Sequence, residues 1–409
     1  VRILFISHYF PPEVNAPASR THEHCRRWVA DGHEVTVLTG VPNHPAGILF
    51  AGYRNAWLQE EEIDGIRVIR TWEYLAANAG FLPRILNYVL FGLTAILASR
   101  RVREPDVIVS TSPQFFCGLA GAVIARLKKR PFVLEVRDLW PESIVELGQL
   151  RRGVILRVLE MLENWLYRSA SGIVVNTRAF IGHITERGYP RDRIRLIYNG
   201  IDPEKFRPKP PSKALKSRFD LEGKISVAYL GTLGLAHGLE TLIEVATRLR
   251  AEPEFVFLLI GDGAERAKLE AMTRERELEN VEFLGLQPRE EMPEWIATMD
   301  ILLVSLRDLA VFRTVIPSKI FEFLAQERPV IVAARGEIRE MVEKTESAWA
   351  IDPEDPEALI EAIREIASRP DEAKRRAAAG RRWVERDFVR DELARRMLVF
   401  LQENVETEG

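Results

Sequence analysis

Only two cysteines, Cys25 and Cys117, occur in the 409 residues, far apart and without metal-ligand spacing. That excludes a disulfide framework and fits a reducing compartment. No apolar run reaches the length of a membrane span. The first residues read as a strand and a loop, not as the charged-then-apolar leader of a secreted protein. The net charge of −3 is too small for a global nucleic-acid signature, so no nucleic-acid partner is expected. Apolar residues make up 46% and charged residues 29%, the balance of a globular protein, and the length predicts two or three domains. The charge is uneven. Residues 1–200 carry 25 basic and 19 acidic side chains, and residues 201–409 carry 32 and 41. A basic half beside an acidic half suggests that the first faces something anionic, such as a membrane surface or a diphosphate; ordinary surface variation is the other reading.

What is present is an α/β alternation, run twice. Residues 1–7 are a short apolar run, partly β-branched, and predict a first parallel strand. Ligands of open α/β sheets bind beyond the carboxyl ends of the strands, so the loop at 8–20 should border a site. Glu13, Asn15 and Arg20 are its candidate contacts, Arg20 having a second reading as a surface helix residue. Strands are predicted at 34–38, 106–110, 132–136, 172–176 and 193–197, with a hairpin over 60–70 turning at Asp64-Gly65. Helices are predicted to about 31 and over 114–129 and 151–170. In 84–98, Ile85, Leu86, Val89, Leu90, Leu93, Ile96 and Leu97 recur at helical spacing. That stripe reads either as a buried helix or as a face that docks on a membrane. After the 132–136 strand comes Arg137-Asp138-Leu-Trp-Pro-Glu-Ser143, where Asp138 could cap a helix whose first turn holds Pro141.

A turn-rich stretch at 198–203 and a Pro- and Lys-rich linker at 205–216 precede the second run. Its strands are predicted at 225–230, 255–261, 281–284, 300–305 and 329–333. Gly231 to Gly238 is a glycine-rich loop opening onto a helix, a geometry that lets backbone N–H groups approach a diphosphate; a plain tight turn is the alternative. Gly261-Asp-Gly263 lacks the third glycine of a dinucleotide fingerprint, since Arg266 stands there. Residues 352–355 read as a turn before a helix, and 381–403 as one closing helix.

The most informative stretch is 313–333. Pro317 fits the first turn of a helix, where its missing N–H costs nothing. Ser318, the free N–H groups and Lys319 would make a phosphate subsite at that helix start. Glu322 follows Lys319 by one turn on the same face. Its carboxylate can accept two hydrogen bonds from a vicinal diol such as a ribose.

Pro317-Ser-Lys-Ile-Phe-Glu-Phe-Leu-Ala325 followed by Arg328-Pro-Val-Ile331 resembles the donor-nucleotide motif of retaining family-four glycosyltransferases of the GT-B fold. The closest resemblance is to the O-antigen and capsule branch, similar to N-acetyl-fucosaminyl transferase-like proteins. Asp138-Leu-Trp-Pro-Glu-Ser143, the Pro11–Arg20 loop and Asn199-Gly-Ile-Asp202 follow that branch in order. The resemblance implies an α/β architecture of two doubly wound, Rossmann-like parallel-sheet domains facing a cleft. Residues 1–198 would be the acceptor side, 199–380 the nucleotide-sugar side, and 381–409 a helix crossing back to the first domain. Glu322 matches the second Glu of the family's Glu-x7-Glu motif, whereas the first falls on Thr314. Thr314, Ile316, Pro317 and Ser318 would line the donor, with Asn199 at the junction. Gly231, Thr232, Gly234 and His237 would hold its phosphates. Thr232 and His237 replace the family's Arg and Lys, which leaves more of the phosphate charge to backbone amides and Lys319. Gly261 and Gly263 would approach the donor closely, and the 285–288 loop, with Leu286, would take the base mainly through its backbone. Asp138 would position or deprotonate the acceptor hydroxyl.

The implied reaction moves an N-acetyl-hexosamine, or a 6-deoxy relative, from a UDP-linked donor to a polyprenyl-diphosphate-linked glycan. The implied stereochemistry is retention. No cofactor or metal is expected, because Lys319 and helix ends supply the positive charge. The expected location is the cytoplasm, or peripherally the inner face of the cytoplasmic membrane. Two rivals share the architecture. One is a nucleotide-sugar 2-epimerase, which needs several carboxylates around the sugar and is disfavoured by Thr314. The other is a nucleotide-sugar-binding protein without turnover, for which Thr314, Thr232 and His237 speak.

Overall fold

The computed structural model describes residues 1–408 apart from 45, 76–80, 113, 147 and 149–152. The chain forms two compact units, Val1–Tyr198 with Arg390–Gly409, and Asn199–Val389. In the first, β-branched and apolar runs build eight strands: β1 Arg2–Ile6, β2 Glu34–Gly40, β3 Leu58–Ile63, β4 Ile66–Thr71, β5 Val107–Thr111, β6 Phe132–Val136, β7 Gly172–Val175 and β8 Ile194–Leu196. Their order is β3-β4-β2-β1-β5-β6-β7-β8. All neighbours pair in parallel except β3 with β4, the expected hairpin. Asp64 and Gly65 both take positive φ there, as a two-residue hairpin turn requires. β5 and β6 are buried at every position, which is why they read as largely apolar runs, interrupted by Ser110 and Thr111 in β5 and Glu135 in β6. The order reverses between β1 and β5, so the loops after these two strands flank the switch point, where ligands of such sheets bind.

Helices Phe81–Ala98, Phe115–Lys128 and Val154–Ser169 cover one face of this sheet. Ala16–Ala30 and Arg390–Glu408 cover the other. Two expectations change here. The Phe81–Ala98 helix does not bury the leucine stripe. Asn87, Phe91, Ala95 and Ala98 face the sheet, and Leu86, Leu93 and Leu97 are exposed. Asn87 turns inward because its amide donates to Glu73 Oε1 (2.7 Å), itself held by His8. The helix expected over 151–170 begins at Val154; residues 151–152 lie outside the described residues.

The single helix expected over 381–403 is two helices, Pro370–Asp387 and Arg390–Glu408. They part at Phe388 and Val389, where Phe388 packs on Phe321 and Trp383 and Val389 bridges to Ile201. Only the last helix belongs to the first unit. Leu393, Met397, Phe400 and Leu401 enter its core, and the Trp28 indole N–H donates to the Ala394 carbonyl at 2.9 Å. Gly172 makes room for this helix, since a Cβ there would lie 2.6 Å from Phe400 Cζ.

The second unit has six strands, all parallel: β9 Ile225–Leu230, β10 Phe255–Ile260, β11 Val281–Gly285, β12 Ile301–Ser305, β13 Val330–Ala333 and β14 Trp349–Ile351. The order is β11-β10-β9-β12-β13-β14, so its switch point lies between β9 and β12. Part of the expected 205–216 linker is instead a helix, Lys213–Arg218, capped by the Ser212 hydroxyl. It is tied down: Ser212 N donates to Thr298 Oγ1 at 3.0 Å, and Phe219 packs on the buried Trp295. Asp355 caps the Pro356–Ser368 helix, accepting from Ala358 N at 3.0 Å.

Leu401, in the Arg390–Glu408 helix, is fully buried against the first sheet. Leu401→Ala should destabilise the first unit by about 2–5 kcal/mol, read as a lowered denaturation midpoint of that unit.

Candidate functional site

In the second unit, two glycine loops meet at the carboxyl ends of β9 and β10. Gly231 and Gly261 hold φ of 135° and 144°. A Cβ on Gly261 would lie 1.9 Å from the Gly231 carbonyl oxygen, and one on Gly263 would lie 2.4 Å from the Leu233 carbonyl oxygen. Only glycine permits this backbone-on-backbone approach. Leu233 N donates to Asp262 O and Glu265 N to Leu233 O, both at 2.9 Å, which locks the loops together. Tyr229, fully buried in β9, donates its hydroxyl to Thr232 O at 2.8 Å and so fixes the start of the first loop.

Lys319 reaches into this corner. It is the first residue of the Lys319–Ala325 helix, with Ser318 as the cap position, so Pro317 stands one residue ahead of the expected first turn. The helix has seven residues, and Ser318 makes no side-chain cap bond. The positive charge therefore resides in the lysine rather than in a long helix dipole. Its Nζ lies 3.7 Å from the centre of the Tyr229 ring and beside Gly231, where a Cβ would come within 2.9 Å. It is buried and has no hydrogen-bond acceptor. Burial pushes its pKa down to about 7, opposed by the Glu322 charge. A cation–π contact compensates only part of that desolvation, so the ammonium lacks the anion that its place demands.

His237 completes the corner. Burial first, then the Lys319 charge, push it down to about 4, so it is neutral. Its Nδ1 stands 3.0 Å from the Ser305 carbonyl, which assigns the proton to Nδ1. The structure thus brings together Gly231, His237, Gly261 and Lys319. Glu322 lies one helical turn on, half-buried, with Arg289 Nη2 at 4.0 Å. Thr314 turns its hydroxyl back onto Val311 O at 2.6 Å. Ile316 is buried, Pro317, Gly234 and Asn199 are half-buried, and Thr232, Ser318 and Leu286 are exposed. Sequence reasoning missed Tyr229 and Arg289. Tyr229 reads as one more strand residue, and Arg289 as a charged loop residue; neither sits in a recognisable pattern.

In the first unit, the loop after β1 is held by buried carboxylates. Glu13 accepts from Asn43 N (3.0 Å) and His44 N (2.9 Å), and burial, partly offset by these bonds, raises it to about 6. Asn15 caps the Ala16–Ala30 helix, accepting from Ala18 N at 2.9 Å, while its buried Nδ2 finds no acceptor. Arg20 is not a surface helix residue. It is buried, its Nε bonds Glu135 Oε1 at 2.6 Å, and its Nη atoms reach Tyr198 O and Ile197 O. Burial alone would raise Glu135, but Arg20 and then Arg137 overcome it and hold the carboxyl at about 2. Arg137 is brought down to about 10 by burial, and its Nε and Nη1 have no acceptor.

Asp138, beside it, is raised by burial, opposed by the Ser143 hydroxyl at 3.3 Å. The helix after it starts at Glu142, too far on for Asp138 to be its cap. A carboxylate raised toward neutrality is nearer the range useful for proton transfer. The sequence also gave no warning of the buried pair His8–Glu73, with the His8 ring stacked on Phe91 at 4.4 Å.

Residues 15–200 match the model of the glycosyl transferase 4-like domain, and residues 213–383 that of glycosyl transferases group 1. The chain is 27% identical to a protein of Escherichia coli K12 named as a colanic acid biosynthesis glycosyl transferase, WcaI, over 97% of this chain and 99% of that one. Sucrose-phosphate synthase from Thermosynechococcus elongatus superposes with a TM-score of 0.78 at 19% identity, covering 99% of each chain. HepE of Anabaena, solved in complex with UDP-glucose, gives 0.72 at 18%, covering 98% and 99%. The fold is GT-B, with two Rossmann-like parallel sheets.

Because folding depresses the Lys319 pKa from its ordinary 10.5 to about 7, the buried charge destabilises the free protein fully below pH 7. The effect fades as pH rises toward 10.5. Lys319→Met should therefore raise the Tm of the unliganded protein at pH 6, and the gain should shrink at pH 9. Thermal unfolding at both pH values measures this.

Proposed function

We propose, from a chain built of a glycosyl transferase 4-like domain followed by a glycosyl transferases group 1 domain, that it transfers a sugar from a UDP-linked donor to a lipid-linked glycan during cell-surface polysaccharide synthesis. The observation that carries the donor half is the buried, unpartnered Lys319 ammonium between the two glycine loops. A diphosphate is the anion that suits it, because its charge neutralises the ammonium that the loops hold out of water. UDP as the nucleotude diphosphate agrees with the UDP-glucose held by HepE. A role in polysaccharide synthesis agrees with the colanic acid biosynthesis for which WcaI is named.

In this reading Lys319 stabilises the leaving diphosphate as the glycosidic bond to it breaks. Glu322 accepts the ribose hydroxyls, and the 285–288 loop takes the base through its backbone. Asp138 positions the acceptor hydroxyl or draws on its proton. Reaction with retention follows if the departing phosphate oxygen itself accepts that proton on the face it leaves. Positive charge comes from Lys319 and the loop amides, and no metal is invoked. The sugar is an N-acetyl-hexosamine or its 6-deoxy relative, and the enzyme works on the inner face of the cytoplasmic membrane.

The test is nucleotide release from a panel of UDP- and GDP-sugars, with and without a membrane lipid extract. The expected result is release from one UDP-sugar that requires the extract and falls at least a hundredfold in Lys319→Ala and in Glu322→Ala. Release that needs no acceptor would instead indicate an epimerase, and nucleotide binding with no release across the panel a binding protein. A second expectation concerns affinity. The cationic form of Lys319 binds the diphosphate, so UDP affinity should weaken by about tenfold per pH unit above 7, and Lys319→Ala should flatten that dependence.

A further inference from the structure

We infer that the outer face of the Val154–Ser169 helix, with the adjoining end of the Phe115–Lys128 helix, is a docking surface for an anionic lipid bilayer. The helix is apolar on two sides. Leu159, Leu162, Leu166 and Tyr167 turn to the core of the first sheet. On the other side Val154, Ile155, Val158, Met161 and Trp165 stand 76%, 66%, 43%, 63% and 36% exposed. The steps from 154 to 158, 161 and 165 are those of a single helical stripe. An apolar stripe on the solvent side of a helix that already has a core side is unexplained by folding.

Its surroundings identify the partner. Trp165 shares a groove with Arg126, Lys129, Arg130 and Ser169. Leu127, between Arg126 and Lys128, is 67% exposed. Arg157 and Arg168 line the next groove with Met161 and Trp165. Of these cations, Arg126, Lys129, Arg157 and Arg168 have no acidic partner among the described residues. The acids nearby are few. Among the described residues, Glu163 faces inward to Arg187 and Tyr167, Glu104 is shared by Lys128 and Arg130, Glu142 stands beside His183 in the groove at Gly153 and Arg157, and Glu160 lies beside the stripe. A row of apolar side chains ending in Trp and fringed by unpaired Arg and Lys has the chemistry of the bilayer interface. The apolar row enters the acyl boundary, the indole sits at headgroup depth, and the cations meet lipid phosphates.

A second copy of the chain fits less well, because a two-fold contact would set these cations against themselves with few acids among the described residues to answer them. The Phe81–Ala98 helix, packed on the Phe115–Lys128 helix, also exposes Leu86, Leu93 and Leu97 ahead of the exposed Arg100 and Arg101. No helix among the described residues is long and apolar enough to cross a membrane, so the contact is one of lying on the surface.

The inference rests on this surface alone and not on the sugar-transfer reading, so its test needs neither donor nor acceptor. Co-flotation of the full chain is measured with phosphatidylcholine–phosphatidylglycerol vesicles and with phosphatidylcholine vesicles. The expected result is binding to the anionic vesicles that weakens as salt shortens the screening length. The double substitution Val158→Glu with Met161→Glu should abolish it. Arg126→Gln, Lys129→Gln, Arg157→Gln and Arg168→Gln should each cost on the order of fivefold. All these side chains point outward, so circular dichroism should show an unchanged fold. The inference is overturned if the wild-type chain ignores anionic vesicles, if the double substitution binds them as well as wild type, or if light scattering shows a dimer that this substitution dissociates.

Discussion

A lysine ammonium held out of water without an anion is the constraint on which the second unit turns. Four separate features of the chain converge to permit it. The parallel order puts β9 beside β12, so the loops that follow them open at one switch point. Gly231 has no side chain to occupy the space that the ammonium fills. Gly261 and Gly263 let the neighbouring loop press backbone to backbone against it. Tyr229 supplies an aromatic face, a neutral surface whose quadrupole attracts a cation. None of these is the cheapest way to fill a sheet edge, and each becomes intelligible once a diphosphate is added.

The first unit treats the same edge differently. There the cations are mostly answered inside the protein: Arg20 by Glu135, Arg70 by Glu61, His8 by Glu73. Glu13 spends its oxygens on backbone amides. These buried pairs fix loops rather than offer free charge, and breaking one would strand its partner in a low dielectric. The exceptions are Arg137, with two unmet donors, and Asp138, pushed up by burial. The basic surplus of residues 1–200 therefore lies largely outside the core, on helix surfaces that carry Arg126, Lys129, Arg157 and Arg168.

The strands were legible because a strand buried on both faces reads as a largely apolar run, as β10 does throughout and β1, β5, β6 and β12 do but for Arg2, Ser110, Thr111, Glu135 and Ser305. Lys319 and Glu322 were legible because a spacing of three residues fixes their shared helix face. Other features were hidden for physical reasons. The leucines of residues 84–98 have core-like spacing, yet Asn87 takes the inward position because Glu73, fourteen residues away in sequence, offers it a carboxylate. The break at Phe388 has no proline or glycine to announce it; tertiary packing on Phe321 and Trp383 makes it. Arg20 looked like a helix-surface residue because its partner, Glu135, is 115 positions distant. Lys213–Arg218 looked like a linker because the prolines and lysines of residues 205–216 outweighed one capping serine. In each case the deciding partner is remote in sequence.

The most direct measurement is calorimetric titration of the full chain with UDP in two buffers of different ionisation enthalpy. If Lys319 is neutral in the free protein above pH 7 and charged when a diphosphate lies on it, binding at pH 8 takes up nearly one proton, binding at pH 6 takes up almost none, and Lys319→Met abolishes the difference. UDP binding at pH 8 without proton uptake, or with uptake that persists in Lys319→Met, would contradict the account.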